Sequence, residues 1–233
     1  MKAQQTLEQV LKESRARLYP SLRNPSWLIL RCRRRIVEEG IKRLPLSGLM
    51  VLDVGGRLQP YRELLGKRVK QYVAIDPLLT PLANVGGVAQ ALPFRAMQFD
   101  LVLCTQVLEY LPDPMLAVEE IRRVLRKGGV AFISAPSIFI RDSDKEYWRF
   151  LPEGLRYLLR NFQTVEVIPE GNSVTGFFRT LNVFLFSFAR PRIFASALTW
   201  TLIPLLNVAG SVLERFGGES DHFAANFSAW VRK

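Results

Sequence analysis

The sequence predicts an α/β fold in which a mostly parallel sheet is wrapped by helices on both faces. Three observations predict it. Apolar strand-like runs alternate with helical patterns through the middle of the chain. Residues 51–56, VLDVGG, carry an apolar run to Asp53 and then to Gly55 and Gly56, where the backbone can turn sharply. Residues 72–77, YVAIDP, repeat that ending with Asp76, 23 residues after Asp53 (76 − 53), about the length of one strand–helix–strand step. Together these point to a Rossmann-like sheet that binds a nucleoside. Asp76 would stand where a carboxylate can take both hydroxyls of a ribose.

Taken in order, residues 4–18 read as a helix, broken by Pro20, Asn24 and Pro25 before a second helix over 27–43. LPLSG (44–48) turns into a first strand over 49–54, followed by a short helix at 61–65 and a second strand at 72–75. Residues 78–93 are irregular, with room for a short third strand at 85–89. FDLVLCTQVL (99–108) is nearly continuous in apolar character, as in a strand buried on both faces. Residues 113–129 read as a helix starting at Asp113, burying Leu116, Ile121, Val124 and Leu125, and ending at Gly128 and Gly129. VAFISAP (130–136) is the next buried strand, 151–160 a helix opened by Pro152, and TVEVI (164–168) an alternating strand. The closing segment, 222–231, places Phe223, Ala225, Phe227, Ala229 and Val231 on one face, which suits an antiparallel last strand.

The chain has 233 residues, 48% of them hydrophobic and 23% charged, enough for one domain with a sizeable core and too few for two full-sized ones. Its net charge is +11, and residues 1–43 alone carry eleven Lys/Arg against four Asp/Glu. A basic surface favours nucleic acid, anionic lipid or an anionic substrate without choosing among them. Cys32 and Cys104 form no spaced framework, so the default compartment is a reducing cytoplasm. The first fourteen residues read as an amphipathic helix, without the apolar core of a signal peptide. One histidine, His222, leaves a metal site or a histidine-centred triad almost nothing to work with, and no metal is expected.

Four blocks resemble class I S-adenosylmethionine-dependent methyltransferases of the broad small-molecule group. VLDVGG resembles the family's first motif. ALPFRAMQFDLVLCTQVLEYLPDP resembles its "LPF…FD…VLEH-PDP" block, EEIRRVLRKGGVAFISAP its "E-RVLKPGG…S-P", and YWRFLPEGLRYLL its "YRF-PEGL" segment. The resemblance implies a seven-stranded, doubly wound sheet with an antiparallel last strand, N-terminal helices and a helical insertion before that strand. It divides the chain into a basic helical segment, 1–46, and a methyltransferase domain, 47–233, with an insertion at about 171–218.

The same resemblance implies S-adenosylmethionine as cofactor and assigns residues to it. Asp53, Gly55 and Gly56 would border its methionine part, and Asp76 would hold the ribose hydroxyls. Val88 and Ala89 would lie against the adenine, with Cys104 and Thr105 beneath the sulfonium. Two loop glycines of the family pattern are Arg57 and Gln59 here, and the acidic residue that reads the adenine amino group is Val88. Arg57 would pair with the cofactor carboxylate. Loss of a carboxylate at Val88 costs on the order of 1 kcal/mol, so the cofactor would bind more weakly rather than not at all.

An oxygen acceptor also needs a base, and the loop after the fifth strand offers Asp142, Asp144, Glu146 and Tyr147, with Arg141, Lys145 and Arg149 to hold an anionic substrate. The insertion contains 21 uncharged residues at 193–213. A spanning helix there would put the last strand on the wrong side of the membrane from its sheet. The remaining roles for 177–213 are a lid or homodimer surface, or peripheral contact with the inner face of a membrane. The expected function is therefore methylation of a small-molecule, glycan or lipid-linked, anionic acceptor. The alternative is a non-catalytic binding module with a degenerate cofactor loop. Nucleic acid is set aside as the acceptor, because CTQVLEY stands where amino-group nucleic-acid methylases carry Asn/Asp-Pro-Pro-aromatic.

Overall fold

A computed structural model describes residues 6–83, 85–141, 143–189 and 192–233. Among them, β1 (Leu49–Val54), β2 (Val69–Asp76), β3 (Val85–Gly86), β4 (Phe99–Thr105), β5 (Leu125–Pro136), β6 (Thr164–Pro169) and β7 (Asn226–Arg232) form one sheet, in the order β3-β2-β1-β4-β5-β7-β6. β1 pairs in parallel with β2 and β4, while β7 runs antiparallel between β5 and β6. The expected seven-stranded, mostly parallel sheet with an antiparallel last strand is therefore present. The chain reverses its direction of winding between β1 and β4, which opens a crevice at their carboxyl ends.

The helices are α1 (Leu7–Leu18), α2 (Trp27–Lys42), α3 (Arg62–Leu65), α4 (Pro114–Val124), α5 (Pro152–Leu158), α6 (Ser173–Phe188), α7 (Arg192–Trp200) and α8 (Leu202–Leu213). Alternation along the strands splits the core into two layers. Leu49, Val51, Leu101, Leu103 and Phe132 pack with Leu18 of α1, Val37 and Ile41 of α2 and Leu65 of α3. Leu52, Val54, Val102, Cys104 and Ile133 pack on the other face with Ala117, Ile121 and Val124 of α4 and Leu155 of α5. Local chemistry sets the helix starts. The Thr6 hydroxyl accepts from the Gln9 amide while the Gln9 side chain accepts from the Thr6 amide, and Asp113 accepts from the Met115 amide ahead of Pro114.

The helix expected over 113–129 is shorter. It ends at Val124, because Leu125 is extended and fully buried, paired with Phe99 in the β4–β5 ladder. Residues 125–129 belong to β5, and Gly128 turns at φ +75° with its amide donating to the Lys233 carbonyl. Leu116 lies on the solvent side of α4, 45% exposed, rather than on its buried face.

The uncharged stretch 193–213 divides at Thr201 into α7 and α8, with Pro204 in the first turn of α8, where a missing amide costs least. No described helix is long and apolar enough to cross a membrane. Asn182 of α6 donates to Asn207 of α8 at 2.9 Å, both buried, and Asn207 in turn donates to the carbonyls of Leu22 and Asn24. The insertion is thereby pinned to the turn between α1 and α2, and the two helical segments together roof the carboxyl end of the sheet.

Candidate functional site

The β1 loop closes against the β4 loop at the crevice. Gly55 has φ +74°, and a Cβ there would lie 2.4 Å from Val107 Cγ2, so both conformation and space demand glycine. The Gly55 and Gly56 amides donate to the Ile75 carbonyl at 2.8 and 3.3 Å, tying the loop to the end of β2. Gln59, which replaces a glycine of the family pattern, keeps a left-handed φ of +50°. Its Nε2 donates to the Leu82 carbonyl at 2.5 Å, and its Oε1 accepts from Arg62. The Thr80 hydroxyl donates to the Arg57 carbonyl at 2.8 Å. Side-chain bonds to the 80–82 segment thus hold the turn that glycine alone would otherwise permit.

Asp76 ends β2 with Oδ1 accepting from the Leu78 amide at 2.8 Å. Burial raises its pKa, opposed by that amide and by the nearby Arg57 charge. Asp53 is buried below Gly56 and accepts from the Tyr72 hydroxyl at 2.7 Å. Burial pushes its carboxyl up to about 7, the Tyr72 bond opposing and Asp76 reinforcing the shift. Ala89 is buried in the core layer, whereas Val88 is 45% exposed and bridges to Ala91. Cys104 is fully buried, its thiol pKa raised by burial, and Thr105 is half-buried at the end of β4. The glycine loop, Asp53, Arg57 and Asp76 are therefore brought together at the ends of β1 and β2.

A polar chamber of about 270 Å³ adjoins the ends of β4 and β5, lined by Gln106, Glu109 and Pro136 from below and by Arg17, Arg33 and Arg179 from the roof. Gln106 (φ +55°) donates through Nε2 to the Ser134 hydroxyl. Arg33 Nε lies 2.8 Å from Glu170 Oε1, and both side chains are buried. Arg17 makes no ion pair among the described residues. Its surface reaches solvent, but its guanidinium is crowded by protein atoms and by Arg33 and Arg57, which lower its pKa after burial itself.

Of the bases expected after β5, only Glu146 lines the chamber, and it is paired with Arg149 at 2.8 Å. Asp144 is exposed beside Arg141, Tyr147 is 58% exposed, and Asp142 lies outside the described residues. Glu109 was not anticipated. It sits in a short turn after β4, 2% exposed, and its Oε2 has no hydrogen-bond partner. Burial pushes its carboxyl up to about 7, with Arg33 and Arg149 opposing and Glu146 reinforcing. The signal available in the sequence was a lone carboxylate between Leu108 and Leu111 in an apolar block.

An open α/β sheet with a glycine turn after β1 and an acidic residue ending β2 defines a nucleoside-binding protein. Comparison with known proteins narrows the class. A family model described as "Methyltransferase domain" matches residues 52–133. The ubiquinone biosynthesis O-methyltransferase of Xylella fastidiosa (strain 9a5c) is 32% identical over 108 residues, 40% of this chain and 44% of that protein. An uncharacterized methyltransferase of Mycobacterium sp. (strain KMS) is 35% identical over 98 residues, 38% of this chain and 39% of that one. The chain thus spans less than half the length of the curated relatives it matches. Among solved structures, the [4+2]-cyclase SpnF superposes with a TM-score of 0.54 at 19% identity, covering 99% of this chain and 97% of that one. A SAM-dependent methyltransferase from Archaeoglobus fulgidus gives 0.53 at 14% identity, covering 90% and 95%.

The chain has the class I S-adenosylmethionine-dependent methyltransferase fold, and it is homologous to methyltransferases over its central strands. Fold and homology support S-adenosylmethionine as the cofactor. The residues present are compatible with that group: the turn at Gly55 and Gly56 ends β1 without a side chain, and Asp76 stands at the end of β2 with its carboxylate fixed by a backbone amide.

Proposed function

We propose that the chain transfers the methyl group of S-adenosylmethionine to a small-molecule acceptor, and that this acceptor is lipid-linked. Bound S-adenosylmethionine supplies an electrophilic methyl group on a sulfonium. The residues of the chain do the rest: Asp76 and the loop at Gly55 and Gly56 orient the nucleoside, Arg57 offers a cation for the carboxylate, and the chamber aligns the acceptor. Of the N-terminal segment, 1–46, the described residues act as part of the roof over the methyltransferase domain, 47–233.

The observation that carries the lipid-linked reading is the continuity of two hollows. Ser26 and Phe139 line both the polar chamber and an apolar groove of about 550 Å³, whose walls include Ile140, Val183 and Phe186. A polar or anionic head would sit under the arginine roof and an apolar tail along the groove, a shape that favours a lipid-linked acceptor over a bare glycan. Phe184, Leu205, Val208, Val212 and Phe216 lie exposed on and after the roof helices. With the basic N-terminal segment they support peripheral contact with the inner face of a membrane. A homodimer is the other use of that surface.

Transfer from methyl-labelled S-adenosylmethionine to a cell extract, followed by solvent partition, tests the reading. Label is expected in the solvent-extractable fraction. Label confined to water-soluble products would contradict the lipid-linked acceptor. Cofactor binding without transfer to any fraction would favour the binding module, and the cyclase among the structural neighbours makes plain that this fold does not fix the reaction.

A further inference from the structure

We infer that Glu109 is the general base that receives a hydroxyl proton from the acceptor, which makes the proposed transfer an O-methylation. The inference rests on the methyl-transfer reading and names the atom that accepts the methyl group.

Position comes first. Glu109 follows β4 at the reversal point of the sheet, and Val107, two residues earlier, is the side chain that fills the space beside Gly55. The turn carrying Glu109 therefore lies directly against the loop that would hold the cofactor. It is also held firmly. The Tyr147 and Trp148 amides both donate to the Glu109 carbonyl, at 2.7 and 3.3 Å, and Trp148 Nε1 donates to the Leu111 carbonyl at 2.8 Å. A base fixed from behind in this way keeps its geometry while the acceptor comes and goes.

The carboxylate itself is incomplete. An unpaired polar atom buried away from water costs about 1–3 kcal/mol, so the orphan Oε2 calls for a donor that the chain does not supply. Among the described residues, each of the other carboxylates near the crevice already holds a partner through one oxygen, and Glu170 Oε2, beside Arg33, is the other buried carboxylate oxygen without one. Glu146 is paired with Arg149, Asp53 accepts from Tyr72, Asp76 from Leu78, and Glu170 holds Arg33. The single histidine is exposed, far along the chain at 222.

The surroundings choose oxygen over nitrogen. Charged and titratable groups face Glu109 from each neighbouring element: Arg17 from α1, Arg33 from α2, Tyr110 from its own turn, Glu146 and Arg149 from the β5–α5 loop, and Arg179 from α6. Three guanidinium groups stabilise an oxygen that gains negative charge as it loses its proton, and they repel an ammonium. The groove beyond admits the rest of such an acceptor. A carboxyl held near 7 also matches the operating pH expected of a base. In the step itself the acceptor oxygen forms a new bond to carbon as the donor's carbon–sulfur bond breaks. The sulfur keeps that electron pair as a thioether, and the hydroxyl proton passes to Glu109 Oε2.

The test uses 4-nitrophenol, whose ionisation is visible as a yellow band, bound to the full chain loaded with S-adenosylhomocysteine. Because a Glu109 carboxyl near 7 already holds its proton at about pH 6 and has released it by about pH 8, the wild type is expected to bind the yellow phenolate form with an affinity that falls as pH rises through 7. Glu109→Gln, which keeps size and shape and imitates the protonated carboxyl, is expected to bind the phenolate as the wild type does at about pH 6 and roughly 10-fold more tightly at about pH 8, with Glu109→Asp retaining the pH dependence. Circular dichroism and S-adenosylhomocysteine calorimetry on each variant establish that folding and cofactor binding are intact. The assignment is overturned if the ratio of the Glu109→Gln affinity to that of the wild type stays flat between about pH 6 and pH 8, or if the probe fails to bind while S-adenosylhomocysteine binds. Should S-adenosylhomocysteine itself not bind the wild type, it is the methyl-transfer reading that fails.

Discussion

Arg33 on α2 and Glu170 at the end of β6, 137 residues apart in sequence, form a fully buried ion pair of 2.8 Å. The same Glu170 oxygen also accepts from the hydroxyls of Ser134 on β5 and Ser228 on β7, at 2.7 and 2.5 Å. One carboxylate thus joins the N-terminal roof to three strands. Removing one partner of such a pair leaves a buried, uncompensated charge, at a cost of about 3–5 kcal/mol. Glu170→Ala should lose stability of that order in urea titration. A loss below about 1 kcal/mol would show that the pair does not fasten the roof to the sheet.

Two glycines in helices should respond oppositely to alanine. A Cβ on Gly176 of α6 would stand 1.8 Å from the Phe223 carbonyl oxygen, whereas one on Gly154 of α5 meets nothing within 4 Å. Gly176→Ala must push the insertion away from the chain entering β7, and should destabilise by about 1–3 kcal/mol. Gly154→Ala should stabilise by roughly 0.4–1 kcal/mol, mainly by restricting the unfolded chain. Equal effects in thermal melts of the two variants would contradict the tight seating of α6.

Asp53 gives a prediction with a definite sign. Its carboxyl is raised from 3.8 to about 7 by burial. The folded chain therefore holds a proton that the unfolded chain has released, between about pH 4 and pH 7, and stability falls as pH rises through that window. Asp53→Asn removes this contribution while its amide oxygen can still accept from Tyr72. Relative to the wild type, the variant should gain roughly 2 kcal/mol between pH 5 and pH 8. Glu109, raised in the same sense, cancels in the comparison. A stability difference that stays flat with pH would mean that Asp53 is ionised in the folded chain.

Gln59 shows how the imperfect loop survives. Its left-handed φ is one that glycine adopts without strain, and its bonds to Leu82 and Arg62 oppose that strain here. Gln59→Gly should keep the loop conformation but lose those bonds, leaving stability within about 1 kcal/mol of the wild type. Gln59→Ala keeps the strain and loses the bonds, so it should be the less stable of the two in the same urea titration. The reverse order would show that the turn does not depend on Gln59's side chain.

Much of the sheet was legible because its strands are buried on both faces and read as continuous apolar runs, as at β4 and β5. The end of α4 was not, because a helical pattern through Leu125 competes with pairing to Phe99, which only the assembled sheet reveals. The cofactor half of the site could be read from VLDVGG and AIDP, since a glycine turn and a strand-end carboxylate are local features. The acceptor half could not. Glu109, Arg17, Arg33 and Arg179 come from four separate elements, and only the packing of α1, α2 and α6 over the strand ends makes them one chamber. The charged loop at 141–149 attracted attention through its composition, yet Arg141 and Asp144 are solvated and satisfy each other.

The central claim is that the carboxyl ends of β1 and β2, beside the crevice, bind the nucleoside of S-adenosylmethionine through Asp76. Calorimetric titration of S-adenosylhomocysteine into the wild type and Asp76→Ala tests it most directly. Loss of a charge-assisted hydrogen bond is worth about 1.5–3 kcal/mol, so the variant should bind roughly 10–100-fold more weakly than a wild type that binds in the micromolar range. Absence of binding to the wild type at millimolar ligand, or equal affinity in the two proteins, would contradict the account.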